Sequence, residues 1–236
     1  MFKKRLNNTH LLYKPYLYYN LFFHHKCLIK KNSYSQSGED LYINSFFENV
    51  NDGFYIDIGC FHPIMHSNTA RLYDRGWKGI NIDINQTSID LFNIIRKRDK
   101  NFCLAISNEN KKVKFYTDNN FSPINSINKK FFSYTSNKFS DGKFVENEIN
   151  SYKLLDFLKN NNIEKGNIDF LNIDAESHDF EVLQGIDFKK IGIKLICVEM
   201  FDENSKINES KFINFFKDHG YKYLKTIGAN GFFEKK

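Results

Sequence analysis

From residue 53 onward, apolar runs of strand length alternate with stretches of helical periodicity, and this alternation constrains the fold more than any other feature of the chain. Strand-like runs occupy residues 53–59 (GFYIDIG), 79–84 (GINIDI), 101–107 (NFCLAIS), 113–117 (VKFYT), 168–174 (IDFLNID) and 193–200 (IKLICVEM). Helical periodicity fills residues 68–75, 88–98, 152–160, 180–185 and 210–219, and Gly76, Gly185 and Gly220 stand where helices would end. Such alternation predicts an α/β domain with a mostly parallel sheet and helices on both faces. Residues 221–227 and 231–234, joined around Gly228-Ala229-Asn230, read as a terminal antiparallel pair. Residues 119–148 carry Asn, Ser, Lys and Phe without period. They are expected to form an acceptor-side loop or lid, because long aperiodic connections in compact domains are usually functional.

In an open α/β sheet, ligands bind beyond the carboxyl ends of the strands. The first run delivers Asp57 and Gly59, a carboxylate to receive hydrogen bonds and a glycine that lets the backbone turn tightly against a ligand. The second ends at Asp83 and Ile84. An acidic residue at this distance from the first turn accepts hydrogen bonds from the ribose hydroxyls of an adenosine-containing cofactor. A dinucleotide would need a G-x-G-x-x-G loop for its pyrophosphate, whereas residues 59–64 (GCFHPI) offer one glycine followed by bulky side chains. A cofactor without phosphate fits better, and a nicotinamide-dependent oxidoreductase is disfavoured.

Net charge is +6, with much of the excess at the start in Lys3, Lys4, Arg5, Lys14, Lys26, Lys30 and Lys31. Residues 1–33 therefore form a basic, aromatic segment ahead of a domain spanning residues 34–236. Its most apolar part, residues 17–29, is broken by Asn20, His24, His25 and Lys26, too short and too polar to span a bilayer and a poor signal peptide. It is expected to pack on its own domain in preference to lying on a membrane surface. A basic segment also admits a noncatalytic or nucleic-acid-directed protein, but no aromatic-basic RNA motif stands out, and nucleic acid is not expected as a partner. Cys27, Cys60, Cys103 and Cys197 are widely spaced, form no C-x-x-C pair, and suit reduced thiols in the cytoplasm.

Taken in order, residues 34–40 (YSQSGED), 54–59 (FYIDIG), 79–83 (GINID), 105–107 (AIS), 172–176 (NIDAE) and 183–185 (LQG) resemble the ordered motifs of FkbM-type methyltransferases, over most of residues 34–235. The resemblance implies a class I methyltransferase Rossmann-like fold, S-adenosylmethionine as methyl donor, and O-methylation of a sugar, as a nucleotide-sugar or surface-glycan unit in polysaccharide assembly. It places Gly59 and its neighbours at the methionine part, Asp83 at the ribose, Ala105, Ile106 and Ser107 around the adenine, and Gln36 and Glu39 on an arm closing over the cofactor. One departure stands out. Where many relatives have a small-residue turn after the first strand, this chain has Cys60-Phe61-His62-Pro63.

Methyl transfer to a hydroxyl needs alignment and a base near the acceptor. The fourth strand of the expected parallel sheet supplies Asp174, Glu176, His178 and Asp179, of which His178 is the favoured base because an imidazole titrates near neutrality. Asp174 would orient a histidine or bind the acceptor, and Glu199, ending the fifth strand, would bind acceptor hydroxyls or support the base. His62 and His66 are rival bases. Asp174, Glu176 and Glu199 could hold magnesium through oxygen, but their spacing matches no recognised metal signature, so a divalent metal is not expected.

Overall fold

A computed structural model describes residues 10–118, 125–139, 144–163, 167–202 and 206–236. Among these, seven strands form one sheet in the order β3-β2-β1-β7-β8-β10-β9. They are β1 (Phe54–Ile58), β2 (Lys78–Asp83), β3 (Lys100–Cys103), β7 (Asn167–Ile173), β8 (Gly192–Glu199), β9 (Tyr221–Ile227) and β10 (Asn230–Lys235). Strands β1, β2, β3, β7 and β8 run parallel, while β10 lies antiparallel between β8 and β9. Strand order reverses at β1, between β2 and β7, and the crevice there is where an open sheet of this type binds its ligand. This is the α/β class I methyltransferase architecture expected from the sequence.

Alternation along each strand divides the core between the two faces of the sheet. Ile56, Ile58, Ile80, Ile82, Leu171, Ile173, Ile196 and Val198 pack on one face with α6 (Leu154–Asn160) and α8 (Glu209–Asp218). Tyr55, Phe170, Leu195, Cys197 and Phe232 pack on the other with Phe47, Leu72 and Trp77, from the chain around α2 (Glu39–Phe46) and α3 (Ala70–Asp74). On that second face, the register aligns Asn101, Asn81, Asp57, Asn172 and Cys197 across five neighbouring strands. A polar row in a sheet buried on both sides needs partners within the protein. Asn81 donates to Asn101 at 2.8 Å and to Asp99 at 3.0 Å, and Asn172 donates to Asp57 at 2.9 Å.

Two sequence expectations change. The run at 101–107 is not one strand: the chain bends at Leu104, and β4 (Ala105–Ile106) joins a second sheet of order β4-β6-β5 with β5 (Lys111–Thr117) and β6 (Val145–Tyr152). Its apolar character is continuous, so nothing in the residues marks the break. The described part of 119–148 is also not structureless, since it holds α5 (Lys129–Phe139) and the start of β6; residues 119–124 and 140–143 lie outside the described residues. The helix hides from a periodicity search because its buried positions mix Phe131 and Phe132 with Thr135 and Ser136. Thr135 satisfies its hydroxyl by donating to the Phe131 carbonyl at 2.9 Å.

The N-terminal segment forms α1 (His10–Tyr18), which continues into a π-helical turn over Tyr19–His24. Leu17 and Leu21 are buried and pack with Leu91 of α4 (Gln86–Ile95), as a segment docked on its own domain should. No helix among the described residues is long and apolar enough to cross a membrane.

Candidate active site

At the carboxyl end of the sheet, β1, β2 and β7 deliver their last residues to one cavity. Its walls include Gln36, Gly59, Phe61, His66, Asp83, Ile84, Ala105, Ile106, Asp174, Glu176 and His178. Gly59 is required where it stands. Its φ is +79°, and a Cβ there would lie 1.7 Å from the Asp174 carbonyl oxygen, so the β1 turn presses directly on the end of β7. Phe61 and Glu176, which are not glycines, also hold positive φ angles of 44° and 52° on the cavity wall. Backbone held in this region costs energy and persists where surrounding contacts impose it.

Asp83 closes β2 as Asn85 starts α4, the Asn85 side chain accepting from the Thr87 amide at 2.8 Å. Each Asp83 oxygen accepts one backbone N–H, from Phe61 at 2.9 Å and from Asn85 at 2.7 Å. A carboxylate offers about four acceptor positions, so lone pairs remain for two hydroxyls. Burial pushes the Asp83 carboxyl up to about 6, against the pull of these two amides.

Several residues singled out in the sequence stand behind the wall. Asp57 is enclosed, accepting from Thr69 Oγ1 at 2.6 Å and Asn172 Nδ2 at 2.9 Å, and burial raises its pKa. It anchors the polar row and does not face the cavity. Glu39 accepts from the Ser37 amide at 2.8 Å and from Asn230 Nδ2 at 3.1 Å, fastening the 34–40 motif to the β9–β10 turn, while Gln36 reaches the cavity. Ser107 lies under His178, its Oγ 2.8 Å from His178 Nε2; His178 Nδ1 is 3.8 Å from Glu181, and burial lowers its pKa. Gly185 makes that contact possible, because a Cβ there would come 2.1 Å from the Ser107 carbonyl oxygen.

His62 has both ring nitrogens engaged. Nδ1 accepts from the amides of Ile64 at 3.1 Å and Met65 at 2.9 Å, so Nε2 carries the proton toward Asn20 Oδ1 at 3.2 Å. Burial pushes its pKa down to about 2. Arg96 holds the rest of this loop: fully buried, it donates to the Pro63 carbonyl at 2.7 Å, Ser67 Oγ at 3.1 Å and Tyr55 Oη at 2.8 Å. His66, exposed, lines the cavity.

The carboxylates at the ends of β7 and β8 form a group. Burial first, then its neighbours Asp179 and Asp57, pushes Asp174 up to about 8. Burial and Asp174 drive Glu176 and Glu199 well above the usual carboxylate range. Glu199 stands behind the wall, and among the described residues its Oε2 has no hydrogen-bond partner. Among the described residues no group of three or more His, Cys, Asp or Glu is arranged to hold a metal ion.

Sequence reading missed part of the wall: Leu104, Asn125, Ile127 and Ala175. Asn125 and Ile127 belong to the aperiodic stretch, pinned where Ser126 Oγ donates to the Glu176 carbonyl at 2.7 Å. That contact joins residues fifty apart, and no local signal announces it.

The sequence profile of the Methyltransferase FkbM domain matches residues 51–223. The chain belongs to the FkbM methyltransferase family. Among solved structures, a Pyrococcus horikoshii protein described as a candidate RNA methyltransferase is similar at 11% identity, over 88% of this chain and 91% of that chain, with a TM-score of 0.41. No curated protein matches significantly. Family membership makes the chain a methyltransferase and implies adenosylmethionine as its donor. The FkbM cavity fits that donor in three respects: a glycine turn that brings backbone close to a ligand, Asp83 with free lone pairs, and buried carboxylates at β7 that would complement a cationic sulfonium and ammonium.

Proposed function

We propose that this FkbM protein is an adenosylmethionine-dependent O-methyltransferase acting on a sugar hydroxyl, in a nucleotide-sugar or a surface-glycan unit. The observation that carries the reading is the convergence, at the switch point of the sheet, of the Gly59 turn, the half-satisfied Asp83 and the raised Asp174. Gly59 and its neighbours would hold the methionine part, Asp83 the ribose, Ala105 and Ile106 the adenine, with Gln36 over the top. Bound there, adenosylmethionine supplies an electrophilic methyl group to the acceptor oxygen. Residues 34–236 would make up the catalytic domain, and the stretch 119–148, through Asn125 and Ile127, its acceptor-side wall. A hydroxyl-rich acceptor suits a wall that carries Asp174 and Glu176, whose carboxyl groups can exchange hydrogen bonds with sugar hydroxyls. A cytoplasmic setting agrees with four free cysteines.

The proton of the acceptor hydroxyl is assigned here to Asp174 in preference to His178. The His178 ring is turned to Ser107, beside the residues placed at the adenine, and acts as a positioning group. Asp174 ends β7 on the cavity wall with a pKa near the working range of a general base. Burial, with Asp179 and Asp57 nearby, keeps that value high.

Calorimetry with adenosylmethionine, adenosylhomocysteine and NAD tests the donor, and a panel of nucleotide-sugars scored for the mass gain of one methyl group tests the acceptor. Binding of the first two and not the third is expected. With an acceptor in hand and donor saturating, kcat/KM should rise with pH and level off below about 8, because the donor's positive charge eases ionisation of Asp174. Asp174→Asn should lower kcat by about a hundred- to ten-thousand-fold. A flat profile, or a larger loss from His178→Asn than from Asp174→Asn, would return the base to the histidine.

A further inference from the structure

The N-terminal segment buries one side and leaves the other uncovered, and the uncovered side has a composition of its own. Leu17 and Leu21 face α4, while Phe23 is 72% exposed, Leu28 83%, Ile29 58%, Tyr19 58% and Tyr18 50%. Tyr18 stacks on Phe22, and Tyr19 on Phe23, so the aromatic groups stand as ordered pairs. Lys14, Lys26 and Lys30 are exposed among them. Residues 1–38 contain no Asp or Glu at all, and their seven Lys and Arg account for the whole positive excess of the chain, the remainder being close to neutral. Large apolar side chains at high exposure, interleaved with cations and free of carboxylates, are costly to leave in water.

We infer that residues 12–31 are a docking surface for an anionic lipid bilayer, on which the exposed rings and aliphatic groups enter the headgroup boundary while the lysines meet lipid phosphates. Charge complementarity selects the sign of the partner, because no carboxylate lies in the segment to oppose an anionic surface. The aliphatic members select its kind. Leu28 and Ile29 gain nothing from a nucleic-acid backbone, whereas exposed aromatic and aliphatic side chains together suit the headgroup boundary of a membrane. The segment adjoins the catalytic end of the sheet. The His25 ring is 4.7 Å from that of His62, in the same loop that places His66 on the cavity wall. Docking would therefore hold the mouth of the active site beside the bilayer.

Flotation of the full chain with phosphatidylcholine vesicles, with and without phosphatidylglycerol, tests this. Binding to the anionic vesicles only is expected, weakened by salt. Two surface variants carry the assignment, each checked for an unchanged melting temperature: Phe23→Ser with Leu28→Ser and Ile29→Ser, and Lys14→Gln with Lys26→Gln and Lys30→Gln. Each set should lower partitioning, the lysine set by on the order of a hundredfold. The proposal is overturned if the chain stays off anionic vesicles, if it binds neutral ones equally, or if the serine variant partitions like the parent. Tight binding of single-stranded RNA that the serine variant retains would assign the surface to nucleic acid instead.

Discussion

Asp83 shows how much one side chain does at the switch point. Its two oxygens each accept a backbone amide, one from the β1 turn and one from the start of α4, so it holds the crevice open as well as facing into it. Asp83→Ala is expected to weaken adenosylmethionine binding by about 1.5–3 kcal/mol for each ribose hydroxyl bond lost, with a smaller cost in stability from the freed amides. Calorimetry and a melting curve on the same sample separate the two effects; unchanged affinity with a lowered melting temperature would leave Asp83 a turn-forming residue only. Asp83 was legible in the sequence because its distance from Gly59 is set by one strand, one helix and two turns. Asp57 was legible as a strand-end carboxylate but not as a buried one. Which face of a two-sided buried strand a residue occupies depends on neighbouring strands, and Asn81 and Asn172 stand far away in sequence.

The loop at 60–69 illustrates the same limit for an element. Its bulky residues were visible as a departure from related chains, yet what immobilises them comes from elsewhere: Asn20 of the π-helical turn on His62, and Arg96, just past α4, on Pro63 and Ser67. Arg96 also lies beside Asp57 and Asp99, and is the buried positive charge facing both. Arg96→Leu strips the loop of its donors and leaves these carboxylates uncompensated, so a loss of about 3–5 kcal/mol in urea unfolding is expected. Arg96→Lys should recover little of it, since one ammonium cannot reach the several acceptors the guanidinium spans. A loss below 1 kcal/mol would mean that the loop holds itself. The strands and the helices with apolar period were readable for the opposite reason: their signals are local. Helix α5 was not, because hydroxyls occupy its buried face.

Across the whole molecule the most consequential feature is the collection of acids at one end of the sheet. Burial raises Asp83 to about 6, Asp179 to about 7 and Asp174 to about 8, and lifts Glu176 and Glu199 well above the usual range. In the unfolded chain all five titrate near about 4. Between these limits the folded state binds more protons than the unfolded state, and stability must fall as pH rises. Stability from these groups is fully present below about pH 4 and is lost progressively toward pH 8 as each carboxyl is forced to ionise in place. Other groups titrate in the acid range, so the informative window is pH 6 to 8.5. There the ligand-free protein should show a melting temperature that declines with pH. Adenosylmethionine, whose sulfonium and ammonium bring positive charge to the same acids, should flatten the decline, and its stabilising shift should grow with pH. Calorimetric melts at several pH values, with and without donor, measure both trends. A ligand-free melting temperature that rises across this window would show that the acids are ionised and compensated within the fold. A ligand shift independent of pH would place the positive groups of the donor away from Asp174.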